Sequence, residues 1–174
     1  LSSAASDVYK RQLMDSTPIV AITGQVQSPM LGKDAFQESD VISTVLPITK
    51  WAVQVRRAED ISAAVARAFY IANSGRPGPV VIDLSKDAQT GLAEYHFEKC
   101  DFIRSYDPDP YVEDDVIRKA ADLIEAAQRP MILSGHGVTI ANAEKELVAL
   151  AEKADIPVGC TMLGLATIPT DHRL

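Results

Sequence analysis

The stretch Ser74-Gly75-Arg76-Pro77-Gly78-Pro79-Val80-Val81-Ile82-Asp83-Leu84 reads as a helix stop, a stiff turn and a strand. Ser-Gly is a common way to end a helix, and the two prolines fix the backbone that follows. Val80 to Leu84 is a short, nearly continuous apolar run, the pattern of a strand covered on both faces. Immediately upstream, Ile61, Val65, Ala68, Phe69 and Ala72 recur at i, i+4, i+7, i+8 and i+11, one face of a helix. Before that helix Trp51 to Val55 alternates as a strand does, and Ile19 to Thr23, between Pro18 and Gly24, reads as a buried parallel strand. Gly24 to Gly32 reads as a loop and Asp34 to Asp40 as one or two helical turns. Strand, crossover helix and strand make a parallel sheet with helices on both faces, an α/β fold.

The pattern repeats further on. Residues 85 to about 112 lose periodicity, and Asp107-Pro108-Asp109-Pro110 is turn-rich and acidic, as a linker would be. Ile117, Ala120, Ala121, Ile124 and Ala127 then mark a helix, and Met131 to Ser134 a strand. Asn142 is placed to cap a second helix with Leu147, Leu150, Ala151 and Ala154 inward, and Val158 to Cys160 is a further strand. Residues 1–12 fit neither series. They lack the basic and apolar regions of a signal peptide and read as a cloning or sequencing scar.

Composition narrows the function. With 47% hydrophobic and 24% charged residues the chain can bury a core. A net charge of −7 argues against nucleic acid or an anionic membrane as partner. No apolar run approaches the roughly 20 residues that span a bilayer. Cys100 and Cys160 form no CxxC pair, and His96, His136 and His172 are scattered. Neither a disulfide framework nor a zinc site is expected, which suits a reducing, cytoplasmic location. The run Glu113-Asp114-Asp115 supplies the negative first turn of a helix rather than metal ligands, and no metal site is expected within the chain.

Three short strings carry more. Ile22-Thr23-Gly24-Gln25, Gly32-Lys33-Asp34-Ala35-Phe36-Gln37-Glu38 and Ser74 to Asp83 occur in this order and at these separations. Together they resemble the large subunit of acetolactate synthase (acetohydroxyacid synthase), of the thiamine-diphosphate-dependent enzymes, from Leu13 to about His172. The resemblance implies an internal fragment: residues 13–88 as the C-terminal half of a pyrimidine-binding domain, 89–112 as linker, and 113–174 as the first half of a Rossmann-like, FAD-binding middle domain. It implies condensation of two pyruvates, or of pyruvate with 2-oxobutyrate, with release of CO2. The cofactors would be thiamine diphosphate, FAD and Mg2+. The metal ligands, in a Gly-Asp-Gly…Asn motif, would lie downstream of this chain, and the glutamate that activates thiamine upstream of residue 13. A homodimer or tetramer with a regulatory small subunit is the assembly implied.

Residue by residue, the resemblance sets Phe36 and Gln37 beside the thiamine centre, Lys86 in the substrate channel and Lys50 near it. It sets Ser16, Arg76, Gly135, His136, Thr161 and Met162 toward the flavin. From pattern alone each has a plainer reading. Phe36 could be a core anchor, the two lysines solvated charges, and Gly75 to Pro79 a turn device. Gly135-His136-Gly137 lacks the last glycine of the dinucleotide fingerprint and reads as an ordinary strand-to-helix turn. Gln27 and Lys33 depart from the family, which often has proline and threonine there. Another thiamine-dependent carboligase or a pyruvate oxidase is the near alternative, and a non-catalytic nucleotide-binding module the distant one.

Overall fold

The computed structural model describes residues 3–174, which fall into two compact units, one up to residue 109 and one over residues 110–174. The first unit runs α1 (Ser3–Met14), β1 (Ile19–Gln25), α2 (Val41–Val45), β2 (Trp51–Val55), α3 (Ile61–Asn73), β3 (Pro79–Ser85) and α4 (Lys86–Thr90). All three strands are parallel in the order β1-β3-β2, with Ile22 and Val53 both paired to Ile82. β3 is central, so its side chains are buried on both faces. Val80 and Ile82 pack with Val55 against Ala64, Ala68, Ile71 and Ala72 of α3. On the opposite face Val81 packs against Val41 and Val45 of α2. Small alanines on α3 let the helix lie close to the sheet, and Arg67 on its outer side stacks 5.2 Å from the Trp51 ring centre.

Sequence and structure part in several places. β1 is parallel as expected but is half-buried rather than buried. It pairs with β3 alone, and Ile22 is 60% exposed. Asp34 to Asp40 is a series of turns, because Asp34 and Gln37 sit at φ of 52° and 64°, where a right-handed helix cannot continue. The helical turns begin instead at Val41, capped by Asp40, whose carboxylate accepts from the Ser43 amide at 3.1 Å. Within residues 89–112, read from sequence as a linker, two side chains make contacts with the rest of the first unit. Ile103 packs on the α3 core, and the Tyr106 hydroxyl donates to Ser74 O at 3.0 Å. Most of residues 1–12 lie in α1, where Arg11 pairs with Asp7 at 2.9 Å.

The second unit runs α5 (Asp114–Ala126), β4 (Ile132–Ser134), α6 (His136–Ile140), α7 (Glu144–Ala154) and β5 (Val158–Cys160). β4 and β5 are parallel neighbours. Asp114 and Asp115 do fall in the first turn of α5, where a helix dipole favours them. Asn142 is not the cap of α7. It adopts φ of 52° as the end of the preceding turn, Ala143 takes the cap position, and no side chain closes it. Of the four residues expected inward on α7 only Ala151 is fully buried, and Leu150 is 42% exposed. Gly164 closes the unit by backbone contact: a Cβ there would meet Ser134 O at 2.5 Å.

Candidate functional site

At the carboxyl ends of β1 and β3, where parallel sheets usually receive ligands, the first unit opens a cavity of about 570 Å³. Its walls include Gln25, Met30, Phe36, Gln37 and Lys86. Three of the residues singled out from sequence therefore meet in one place. Phe36 is 88% exposed, so within this chain it is no core anchor. Gln37 and Lys86 are exposed as well, and Gln37 takes the left-handed conformation already noted. Such a position costs a side chain other than Gly or Asn about 1–2 kcal/mol and persists only where neighbours impose it.

Two carboxylates hold the loop of residues 26–39: Glu38 from within it, shaping the backbone at Gln37, and Asp87 from α4 beside it. Glu38 accepts from the backbone amides of Gly32, Lys33 at 3.3 Å and Ala35 at 3.0 Å, drawing residues 32–38 into a ring around its carboxylate. Those amides, Gly32 and then Ala35 foremost, hold its carboxyl below the ordinary glutamate range. At the other end Asp87 accepts from the Ser28 amide and hydroxyl, both at 3.0 Å. The Ser85 hydroxyl, then the Ser28 amide, bring the Asp87 carboxyl down from 3.8 to about 2. Both acids stay ionised at neutral pH with their oxygens committed to the loop. The cavity wall named above thus presents two amides, a phenyl ring, a thioether and an ammonium.

Beneath it lies a polar row that the sequence analysis did not assign. Thr23, Asp83 and Gln54 are register partners across the three strands, on the face that carries α2. Asp83 is fully buried and accepts from Thr23 Oγ1 at 2.7 Å, Gln54 Nε2 at 3.0 Å and Gln25 Nε2 at 3.3 Å. An acid inside the run Val80 to Leu84 was the available signal, because a buried carboxyl must find donors.

Lys50 does not join this site. It precedes β2 and so lies at the amino edge of the sheet, whereas Lys86 follows β3 at the carboxyl edge. Its ammonium donates to Ile71 O, to Ser74 O at 2.7 Å and to Tyr106 Oη at 3.1 Å. That is a cation closing the C-terminus of α3, where the helix leaves carbonyls without partners.

Ser16 and Arg76 are brought together. Arg76 Nε donates to Ser16 Oγ at 2.9 Å and Nη2 to Met14 O at 2.8 Å, so one edge of an exposed guanidinium is fixed. Gly75, at φ of 57°, makes the turn that presents it. In the second unit Gly135 and Thr161 follow adjacent strands, and the Thr161 amide donates to Ser134 O at 2.9 Å. Gly135 forms the cap of the five-residue α6, His136 is its first residue, and Met162 stands 85% exposed just beyond Thr161. A groove of about 610 Å³ between α7 and residues 165–170 contains none of these residues. Among the described residues, no group of three or more His, Cys, Asp or Glu side chains could hold a metal ion. No helix among them is long and apolar enough to cross a membrane.

Comparison with known proteins bears on the family and the fold. Residues 117–174 match the family described as thiamine pyrophosphate enzyme, central domain. The acetolactate synthase large subunit of Buchnera aphidicola subsp. Schizaphis graminum is 43% identical over 161 residues, which is 91% of this chain and 28% of that protein. The large subunit from Corynebacterium glutamicum is 42% identical over 161 residues, 92% of this chain and 26% of its own length. The present chain thus spans little more than a quarter of these relatives. A crystal structure from Mycobacterium smegmatis, described as a thiamin diphosphate-dependent enzyme, superposes with a TM-score of 0.73 at 26% identity, covering 91% of this chain and 30% of that one. Both units thus have counterparts in one kind of protein, and the chain belongs to the thiamine pyrophosphate enzymes.

Proposed function

We propose that the chain is part of an acetolactate synthase large subunit, acting on pyruvate alone or on pyruvate with 2-oxobutyrate. The observation that carries this reading is the convergence of Phe36, Gln37 and Lys86 on one cavity at the carboxyl ends of parallel strands. Thiamine diphosphate, when bound, supplies the electron sink that lets pyruvate lose CO2 and join its remaining two carbons to a second 2-oxo acid. The chain's own part is to hold and shield the reactants. The Gln37 amide can donate or accept a hydrogen bond without titrating, so it orients a reacting oxygen and offers no acid to quench a carbon nucleophile. Phe36 supplies an apolar wall that keeps water out. Lys86 offers a positive charge to an incoming 2-oxo acid carboxylate.

For the flavin, Arg76 presents a planar, permanently charged donor with its direction set by Ser16, which suits an anionic or planar group. In the same reading Gly135, His136, Thr161 and Met162 are the second unit's own residues assigned to the flavin. The flavin would be structural, since forming acetolactate needs no net oxidation. Mg2+ would be held by residues outside this chain, and no step here runs through it. A cytoplasmic homo-oligomer with a regulatory small subunit completes the reading.

Product identity tests it. The complete enzyme carrying this sequence, given pyruvate with thiamine diphosphate, Mg2+ and FAD, should release acetolactate and CO2 in equal amounts. Acetate or acetyl phosphate with consumption of an oxidant would assign it to the oxidases instead. The flavin assignment is tested separately. Arg76→Ala should lower the affinity of the enzyme for FAD about tenfold or more, and with it the FAD content on purification, the effect of about 1.5 kcal/mol or more from a charged hydrogen bond, while leaving it folded. Unchanged flavin content would remove Arg76 from that site.

A further inference from the structure

We propose that Gln25 is a positioning residue for the loop that carries Phe36 and Gln37, a clasp joining both ends of residues 26–39 to each other and to buried Asp83. The proposal rests on the reading that Gln37 serves the reaction. It stands on the way one side chain is used. Gln25 is the last residue of β1 and is only 8% exposed. Its Oε1 accepts from the amide of Val26, where the loop leaves the strand, at 2.9 Å. Its Nε2 donates to the carbonyl of Ser39, where the loop returns, at 2.6 Å, and to Asp83 Oδ2 at 3.3 Å. The orientation of the amide follows from its partners, since two acceptors face the nitrogen and one donor faces the oxygen.

Asp83 in turn cannot drift, because Thr23 and Gln54 hold it from the two outer strands. The loop's closure is therefore referred to the rigid centre of the sheet rather than to its own flexible chain. Glu38 shapes the ring that contains Gln37, and Gln25 fixes where that ring stands relative to Lys86. A neutral amide suits this position, because a glutamate would face the Asp83 and Ser39 oxygens with no proton to share. A lysine would bring a full charge to the floor of the cavity.

In the complete enzyme, Gln25→Met removes the clasp at nearly constant volume and without adding charge. Backbone amide exchange over residues 26–40 should quicken about tenfold, the worth of roughly one hydrogen bond, while exchange in residues 61–73 is unchanged. kcat should fall by a similar factor, with KM for pyruvate nearly constant. Gln25→Asn keeps an amide but cannot span both contacts, and should give the same split in a protein of near-native stability. Thr23→Val loosens the same Asp83 while Gln25 still joins Val26 to Ser39, and should lower the melting temperature with a much smaller fall in kcat than Gln25→Met. Unchanged exchange in the loop, or a kcat that merely follows melting temperature across all three variants, would overturn the clasp. Gln37→Ala separates this from the parent reading. If Gln37→Ala lowers kcat and Gln25→Met does not, the clasp alone fails; if neither does, the site assignment fails with it.

Discussion

In the complete enzyme, Gln37→Ala should lower kcat by about a hundredfold, the usual worth of one oriented hydrogen-bond donor at a reacting centre, and should barely move the melting temperature. The small stability change follows from the position of the residue. Gln37 is exposed on the cavity wall and contributes nothing to either buried cluster. Its left-handed backbone is imposed by the Glu38 ring, and alanine has the same difficulty there as glutamine. The variant therefore removes the amide and little else. Gln37→Gly offers a control, because glycine relieves the backbone strain while also lacking the amide. It should be at least as stable as the parent and as slow as Gln37→Ala. A large loss of stability with normal turnover of the surviving protein would make Gln37 a structural residue.

How much of this was legible in the sequence depended on the range of the interaction. The parallel strands and α3 were readable because their signals are local: periodicity, the Ser74-Gly75 stop and the proline-rich turn. The Asp34 to Asp40 segment was not. Its turns are set by a carboxylate three to six residues away capturing backbone amides, which competes with helix and leaves no periodic trace. Asn142 misled for a related reason, since asparagine is favoured both as a helix cap and in the left-handed conformation that it adopts here. Lys50 carries no local sign that it closes a helix 21 residues further on. The grouping of Gln25, Thr23, Gln54 and Asp83 needs the β1-β3-β2 register, which no window of sequence contains. Resemblance named Phe36, Gln37 and Lys86, while their meeting in one cavity is a product of the fold.

Residues 13–174 expressed by themselves should yield no detectable acetolactate from pyruvate with thiamine diphosphate, Mg2+ and FAD supplied, and should tend to aggregate. Catalysis by the proposed route needs a group that activates the cofactor, a metal–diphosphate anchor and a dry pocket. The resemblance places the first upstream of Leu13 and the second downstream of this chain. Phe36, Gln37 and Lys86 supply one wall of a pocket that is open to solvent. Association has its own cause. β1 and β2 are both edge strands, and such edges pair readily with other chains. In the second unit β4 and β5 form a two-stranded sheet, marginal by itself, while Leu133 is 72% and Leu123 of α5 75% exposed. Light scattering should rise with concentration, and mutating Leu123 and Leu133 to charged residues should reduce it without restoring turnover. Supplying the segments that flank this sequence in the complete enzyme should restore both solubility and acetolactate formation. Acetolactate made by residues 13–174 alone would show that the chain already carries its activating group and metal anchor.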